Sequence, residues 1–302
     1  MNTPRDHHFI PVFYLKQWAP AGRLIAYTRP HGEVFKKSVG PRATGYQRDL
    51  YSFNDLPDDV AQYLEAVFLS QNDFVASKAL QKFLSNDRTP WTKDLRSSWS
   101  RFLLGFLMRH PDPFAELKAM ARTNWLKPDP DTAAAYEKIR QPEMPATFEA
   151  YVQALGDGTV DKIGIRLLQG VMDNVPLGRR LNAMHWDTID VSASDDALLT
   201  SDWPLDKNLP PKNGYVALPI SPTRLFVGVY ERWVLAELRK VPAKRLVHTS
   251  NTESVSRARR FVWAHDTKQT AFIKKHMSTR MVQPPFFPAV GKIGERTLSN
   301  AL

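Results

Sequence analysis

LRSSWSRFLLGFLMRHP, residues 95–111, decides how the rest of this 302-residue chain is read. Leu95, Trp99, Phe102, Leu103 and Phe106 recur at helical spacing and form one broad apolar face. From Phe102 to Met108 the segment is apolar nearly all round, the pattern of a helix buried on every side. Pro111 cannot continue the hydrogen-bond ladder, so the helix is expected to stop at Arg109-His110. The apolar run is far shorter than the roughly 20 residues that span a bilayer. It therefore predicts the central helix of a globular domain, with no membrane as partner.

Outward from that helix the pattern stays helical from Pro57 to about Val175. Val60, Leu64, Val67 and Phe68, then Val75, Leu80, Phe83 and Leu84, continue a 3.6-residue stripe. Weaker helices are expected at Thr132–Ile139, Phe148–Leu155 and Lys162–Met172. Both ends of the chain read differently. Residues 10–20, IPVFYLKQWAP, predict a short helix with Pro11 at its start and Pro20 beyond its end. Leu24–Arg29 and Glu33–Val39 predict a hairpin around Pro30-His31-Gly32. Strand-like runs follow at Met184–Val191, Ala197–Ser201, Tyr215–Ile220 and Leu225–Tyr230. Asn251 is expected to cap a helix running to about Ala264, and Asp266 another up to Met277. The class is α+β, with strands from the two ends and a long helical middle. One domain over 1–302 is expected, with a helical sub-lobe at 57–180 and an irregular tail at 281–302.

Hydrophobic residues make up 43% of the chain and charged residues 24%, which excludes wholesale disorder. There is no cysteine, so disulfides, thiolate zinc sites, iron–sulfur clusters and a Cys nucleophile are excluded. The start, MNTPRDHHF, has no apolar stretch of a secretory signal, and cytoplasmic residence is expected. The formal net charge is +10. From Arg239 onward there are 13 Lys or Arg against Glu253, Asp266 and Glu295, while the preceding 28 basic and 28 acidic residues cancel. The whole excess thus lies in the last 64 residues, as expected of a surface facing nucleic acid or an acidic protein partner, and equally of a solvated basic tail.

A set of short motifs falls in order along the chain. His7-His8-Phe9-Ile10-Pro11 is followed by Phe13-Tyr14-Leu15 and Trp18, then Leu24-Ile25-Ala26-Tyr27 and Asp49-Leu50-Tyr51. Arg109-His110-Pro111, Leu199 to Pro204, Leu218 to Pro222, and Asn251 ahead of Ala258 to Val262 complete it. In this order the chain resembles a bacterial family, domain of unknown function 4238, from residue 7 to about 265. The resemblance implies one continuous fold and brings no activity with it.

Common catalytic signatures are missing: no G-x-S-x-G, no P-loop, no H-E-x-x-H and no G-x-G-x-x-G. The candidate catalytic residues are His7, His8, Arg109 and Asp202. Adjacent residues of an extended chain face opposite ways, so His7 and His8 cannot both enter one site. Asp202, in Ser201-Asp202-Trp203-Pro204, is placed either for a ligand or for an Asx turn. Arg109 could clamp a phosphate or bond its own helix end. Ser221 sits between two prolines without an identifiable base.

These residues support two functions. In the first, a phosphate-directed hydrolase acting on RNA or DNA uses His7 or His8 as base or metal ligand. Asp202 is then a base or a ligand for Mg²⁺ or Mn²⁺, and Arg109 steadies developing charge. In the second, a non-enzymatic module binds a polyanion or an acidic protein through its basic C-terminal region. There Arg257 and Arg260 share a helix face while Arg259 points away, and Lys274 and Lys275 extend the positive region. Phe261, Trp263 and Phe272 would be stacking platforms or core.

Overall fold

The apolar segment at 95–111 forms the expected helix, and the strands of both chain ends are packed around it. The molecule is described by a computed structural model over residues 6–50, 69–116, 130–154, 170, 173–209 and 214–277. The helices expected at Val60–Phe68 and Lys162–Met172, and the tail at 281–302, lie outside these residues.

The N-terminal part holds β1 (Asp6–His8), α1 (Val12–Leu15), β2 (Leu24–Thr28), β3 (Phe35–Val39) and β4 (Tyr46–Arg48). The middle is helical: α2 (Ser70–Leu84), α3 (Lys93–Met108), α4 (Pro130–Ile139), α5 (Phe148–Ala154) and α6 (Val175–Ala183). Then come β5 (His185–Asp190), β6 (Thr200–Ser201), β7 (Asp206–Asn208), β8 (Tyr215–Ser221) and β9 (Arg224–Val229). The last elements are α7 (Arg232–Lys240), α8 (Ala243–Arg257), β10 (Val262–Ala264) and α9 (Thr270–His276). The fold is α+β, with helices central and strands toward both ends.

All strand pairs are antiparallel. One four-stranded sheet has the order β3-β2-β10-β6, and a second the order β5-β9-β8-β7. A two-stranded pair, β1-β4, stands apart from both. The first sheet joins the two ends of the chain, because β10 pairs with β2 on one side and β6 on the other.

The middle strands of the second sheet, β8 and β9, are apolar on both faces and lie buried between layers. Val216, Leu218, Ile220 and Phe226 face α3 and share a core with Trp99, Phe102 and Phe106. Leu225, Val227 and Val229 face the opposite way, toward Leu235 of α7 and Val247 of α8. Thr92 caps α3 by accepting from the Leu95 amide at 3.2 Å. From Trp99 to Met108 every residue except Arg101 is buried.

Polar groups inside the core find partners. Burial pushes the Tyr14 phenol up, and its hydroxyl is held by Thr200 Oγ1 and by the Pro219 carbonyl, each at 2.7 Å. The Trp18 indole donates to the Leu198 carbonyl at 2.8 Å. Tyr14 thereby fastens α1 to both sheets, through β6 and β8.

Asn251 does not open a helix. It lies two turns inside α8, buried, accepting from the Leu199 amide (2.8 Å) and donating to the Ala197 carbonyl (2.8 Å) and Gln269 Oε1 (2.9 Å). The helix itself begins after Pro242, whose fixed φ suits a helix entrance. It also ends early, at Arg257, and Val262 to Ala264 form β10 instead of a further turn. The cause is Asp202, which captures the backbone amides beyond the helix end. Asp266 makes a turn with the Lys268 amide at 3.0 Å, and α9 starts only at Thr270.

Candidate functional site

β6 ends inside the protein, so the next residue, Asp202, carries a fully buried carboxylate. A buried carboxylate is tolerated only when its oxygens are hydrogen-bonded. Oδ1 accepts from the Arg259 amide at 2.9 Å, and Oδ2 from the Arg260 and Phe261 amides at 2.7 and 3.2 Å. The Asp202 amide in turn donates to the Phe261 carbonyl at 3.1 Å. Three amides that would otherwise continue α8 are fixed in a bend, and the chain is redirected into β10.

His110 supplies a fourth donor. Its Nε2 lies 3.3 Å from Asp202 Oδ2, and its Nδ1 accepts from the Asp112 amide at 3.2 Å. The second bond assigns a proton to Nε2, which donates to Asp202. Both ring nitrogens are committed, and the ring is packed edge-on against Phe9 and Trp203.

Asp112 closes the network. It receives Arg259 on Oδ2 at 2.8 Å and Arg260 on Oδ1 at 2.9 Å. Burial opposes its ionisation. The hydrogen bond from Arg259, with the charges of Arg260 and Arg259 itself, overrides that and holds the carboxyl below its usual range. The Arg259 guanidinium lies 4.5 Å over the Trp203 ring, and Arg260 also donates to Gln47 Oε1 at 2.8 Å. Two carboxylates face two guanidiniums, so the cluster is electrically balanced.

Of the four expected catalytic residues, His8 and Arg109 have Asp73 as a common neighbour, whose charge acts on the His8 ring. His7 is buried in β1, opposite Gln47 in the β1-β4 pair. His8 bonds the Arg42 carbonyl at 3.1 Å through Nε2, and burial lowers its pKa from the ordinary value. Arg109 makes a two-pronged pair with Asp73, at 2.9 and 2.7 Å. It is the next residue, His110, that reaches Asp202. Among the described residues, no group of three or more His, Asp or Glu is placed to hold a metal ion.

The expected nucleic-acid residues come from the end of α8, the bend beyond it and α9. Arg257 is taken by Asp206 at 2.8 Å and Glu253 at 2.6 Å, and Arg260 by Asp112 and Gln47. Because α8 ends at Arg257, the helical spacing that would align it with Arg260 is gone. Lys274 and Lys275 are exposed on α9.

A cleft of about 550 Å³ gathers cationic and aromatic groups elsewhere, between the start of α3, β5 and α7. Arg96 lies 3.9 Å over the Trp186 ring and donates to the Asn182 and Met184 carbonyls at 2.9 and 2.6 Å, which closes the end of α6. Trp91 stands edge-on to Trp186, with ring centroids 5.6 Å apart. Arg232 and Arg239, two turns apart, come from one face of α7, and Arg239 is paired with Asp187. Three guanidiniums thus meet one carboxylate beside two indoles.

Comparison with known proteins adds one identification. The model of a family described as a protein of unknown function, DUF4238, matches residues 6–268. The chain belongs to the DUF4238 family. The curated proteins and the solved structures give no match.

Within this DUF4238 chain, the matched span takes in both the Asp202 network and the Trp91–Arg96 cleft. Sequence reasoning missed His110, Asp112 and Arg259 as partners of Asp202. His110-Pro111-Asp112 reads locally as a helix stop, and its partners lie 92 and 147 residues away. The cleft residues gave no motif, since Trp91, Arg96, Trp186, Arg232 and Arg239 come from three separate elements and the segment ahead of α3. No helix among the described residues is long and apolar enough to cross a membrane.

Proposed function

We propose that this DUF4238 protein is a non-enzymatic polyanion-binding module that grips single-stranded nucleic acid in the cleft of Trp91, Arg96, Trp186, Arg232 and Arg239. The observation that carries this reading is the conjunction of three guanidiniums, one opposing carboxylate and two indole rings in one opening about 550 Å³ in volume. Guanidiniums meet phosphate oxygens, and indoles stack on bases that are free of a duplex. Arg232 makes no ion pair among the described residues, so its charge stands ready for a ligand. The binding reading is preferred over the phosphate-directed hydrolase because Asp202, its central carboxylate, already accepts from three amides and His110.

The test is an anisotropy titration of fluorescein-labelled single-stranded RNA and DNA oligonucleotides over a range of salt concentrations. Binding should weaken with salt, with a log–log slope of about −2 if three phosphates are engaged. It should fall at least tenfold in the Arg232→Ala/Arg239→Ala double variant. Cleavage of the oligonucleotides with Mg²⁺ or Mn²⁺, lost in Asp202→Asn, would reinstate the hydrolase reading. Binding that is insensitive to salt and to both arginines would remove the module reading.

A further inference from the structure

α7 separates two cavities of opposite character. Arg232, Leu235, Ala236 and Arg239 face the basic cleft, and Trp233, Val234 and Leu238 face the other side, as a 100° step per residue requires. The second cavity has a volume of about 560 Å³, within the range of small-molecule sites. Its floor is the outer face of β8 and β9, where Ala217, Pro219, Leu225, Val227 and Val229 present only carbon. Leu246 of α8 closes one side.

The mouth is different. Tyr215 and Trp233, both exposed, bring aromatic rings to it, and Trp203 and Tyr230 line the cavity with them. Asp206, Glu231 and Glu253 bring three carboxylates, and Arg257 is the one cation in the lining among the described residues. Arg257 is already engaged with Asp206 and Glu253. Lys207 is not part of the lining: it pairs with Val216 on the other face of β7 and β8, whereas Asp206 pairs with Ala217, although the Lys207 charge is felt by Asp206 and Arg257. A lining two charges negative is the reverse of the +10 carried by the chain as a whole.

We propose that this cavity is a binding site for a small organic cation: an amine or quaternary ammonium on an aliphatic or aromatic body. The body would occupy the carbon-lined floor, and the charged end would sit at the mouth, where carboxylates and the negative faces of aromatic rings both favour a cation. An anionic ligand would meet a lining of net negative charge, and a neutral one would leave that excess unanswered. The site is independent of the nucleic-acid reading, as it shares only α7 with the basic cleft.

The experiment compares three probes of one shape by isothermal titration calorimetry: 4-phenylbutylamine, 4-phenylbutanol and 4-phenylbutyrate at neutral pH. The amine should bind most tightly, at least tenfold better than the carboxylate. Glu231→Gln, a substitution at an exposed position whose side chain makes no capping hydrogen bond at the start of α7, should weaken the amine severalfold and leave the alcohol unchanged. Val227→Trp should block all three probes, with far-UV circular dichroism confirming that the variant is folded. Should Val227→Trp fail to fold, Ala217→Leu serves as the filling variant. Equal or tighter binding of the carboxylate, or binding of none of the probes to the wild-type chain, overturns the proposal.

Discussion

His110 and Asp202, 92 residues apart in the chain, meet at 3.3 Å with neither side chain exposed to solvent by more than 1%. Their contact pins the end of the central helix to the start of the bend that carries the chain into β10. Asp202 holds three backbone amides, and its loss leaves those part-buried donors without their acceptor. Leaving buried donors unsatisfied costs on the order of 1–3 kcal/mol each, so Asp202→Ala is expected to destabilise the fold by about 3–5 kcal/mol. Urea unfolding followed by tryptophan fluorescence measures this. A loss below 1 kcal/mol would mean that the bend does not depend on the carboxylate.

Arg109 and Asp73 make a two-pronged pair in which the arginine side chain is 2% exposed. Lysine offers a point charge in place of the planar fork, so Arg109→Lys is expected to cost about 1–3 kcal/mol although the charge is kept. Thermal unfolding of the two proteins at equal concentration is the check. An unchanged midpoint would show that one prong suffices.

Gly228 of β9 has no room for a side chain. A Cβ there would lie 2.9 Å from Val216 Cγ2 and 3.1 Å from Trp186 Cδ1. Gly228→Ala should therefore overpack the sheet, costing about 1–3 kcal/mol, and displace Trp186 from its place under Arg96. The second effect is read as a loss of oligonucleotide affinity at temperatures where the variant is still folded.

Two windows of acid sensitivity follow from the titrating groups. His8 has its pKa lowered from 6.5 mainly by burial, and His276 is lowered by burial, Lys275 and His248. A histidine whose folded pKa is depressed stabilises most when neutral, so stability is complete above 6.5 and declines as pH falls below it. Asp112 is held under its ordinary 3.8, so its contribution is present above that value and is lost as pH falls further. The urea midpoint should step down in both windows. His8→Gln/His276→Gln should flatten the upper step and Asp112→Asn the lower.

Much of the fold was legible locally. The helix at 95–108, the hairpin of Leu24–Thr28 with Phe35–Val39, and the strands at 215–221 and 224–229 each carry their own periodicity and punctuation. The failures share a cause. Asn251 looks like a cap because polar residues precede it, yet it is a buried bridge between residues 197–199 and Gln269. The end of α8 at Arg257 is set by a carboxylate 57 residues upstream, which no local pattern encodes. The site was less legible still. Asp202 stands out in the sequence as placed for a ligand or an Asx turn, but its partners are backbone amides 57 to 59 residues away, which have no signature in side-chain sequence. The basic excess after Arg239 drew attention to Arg257 and Arg260, both of which are paired to acids, while the arginines of the cleft are spread over residues 96–239.

The most direct measurement is binding of a labelled single-stranded oligonucleotide to two charge-reversal variants, Arg232→Glu/Arg239→Glu and Lys274→Glu/Lys275→Glu, beside the wild-type chain. Both variants change the net charge equally and at exposed positions. Loss of binding in the first with little change in the second is the result predicted for recognition in the cleft. Equal loss in both, or loss only in the second, would contradict it and return the polyanion to the C-terminal surface.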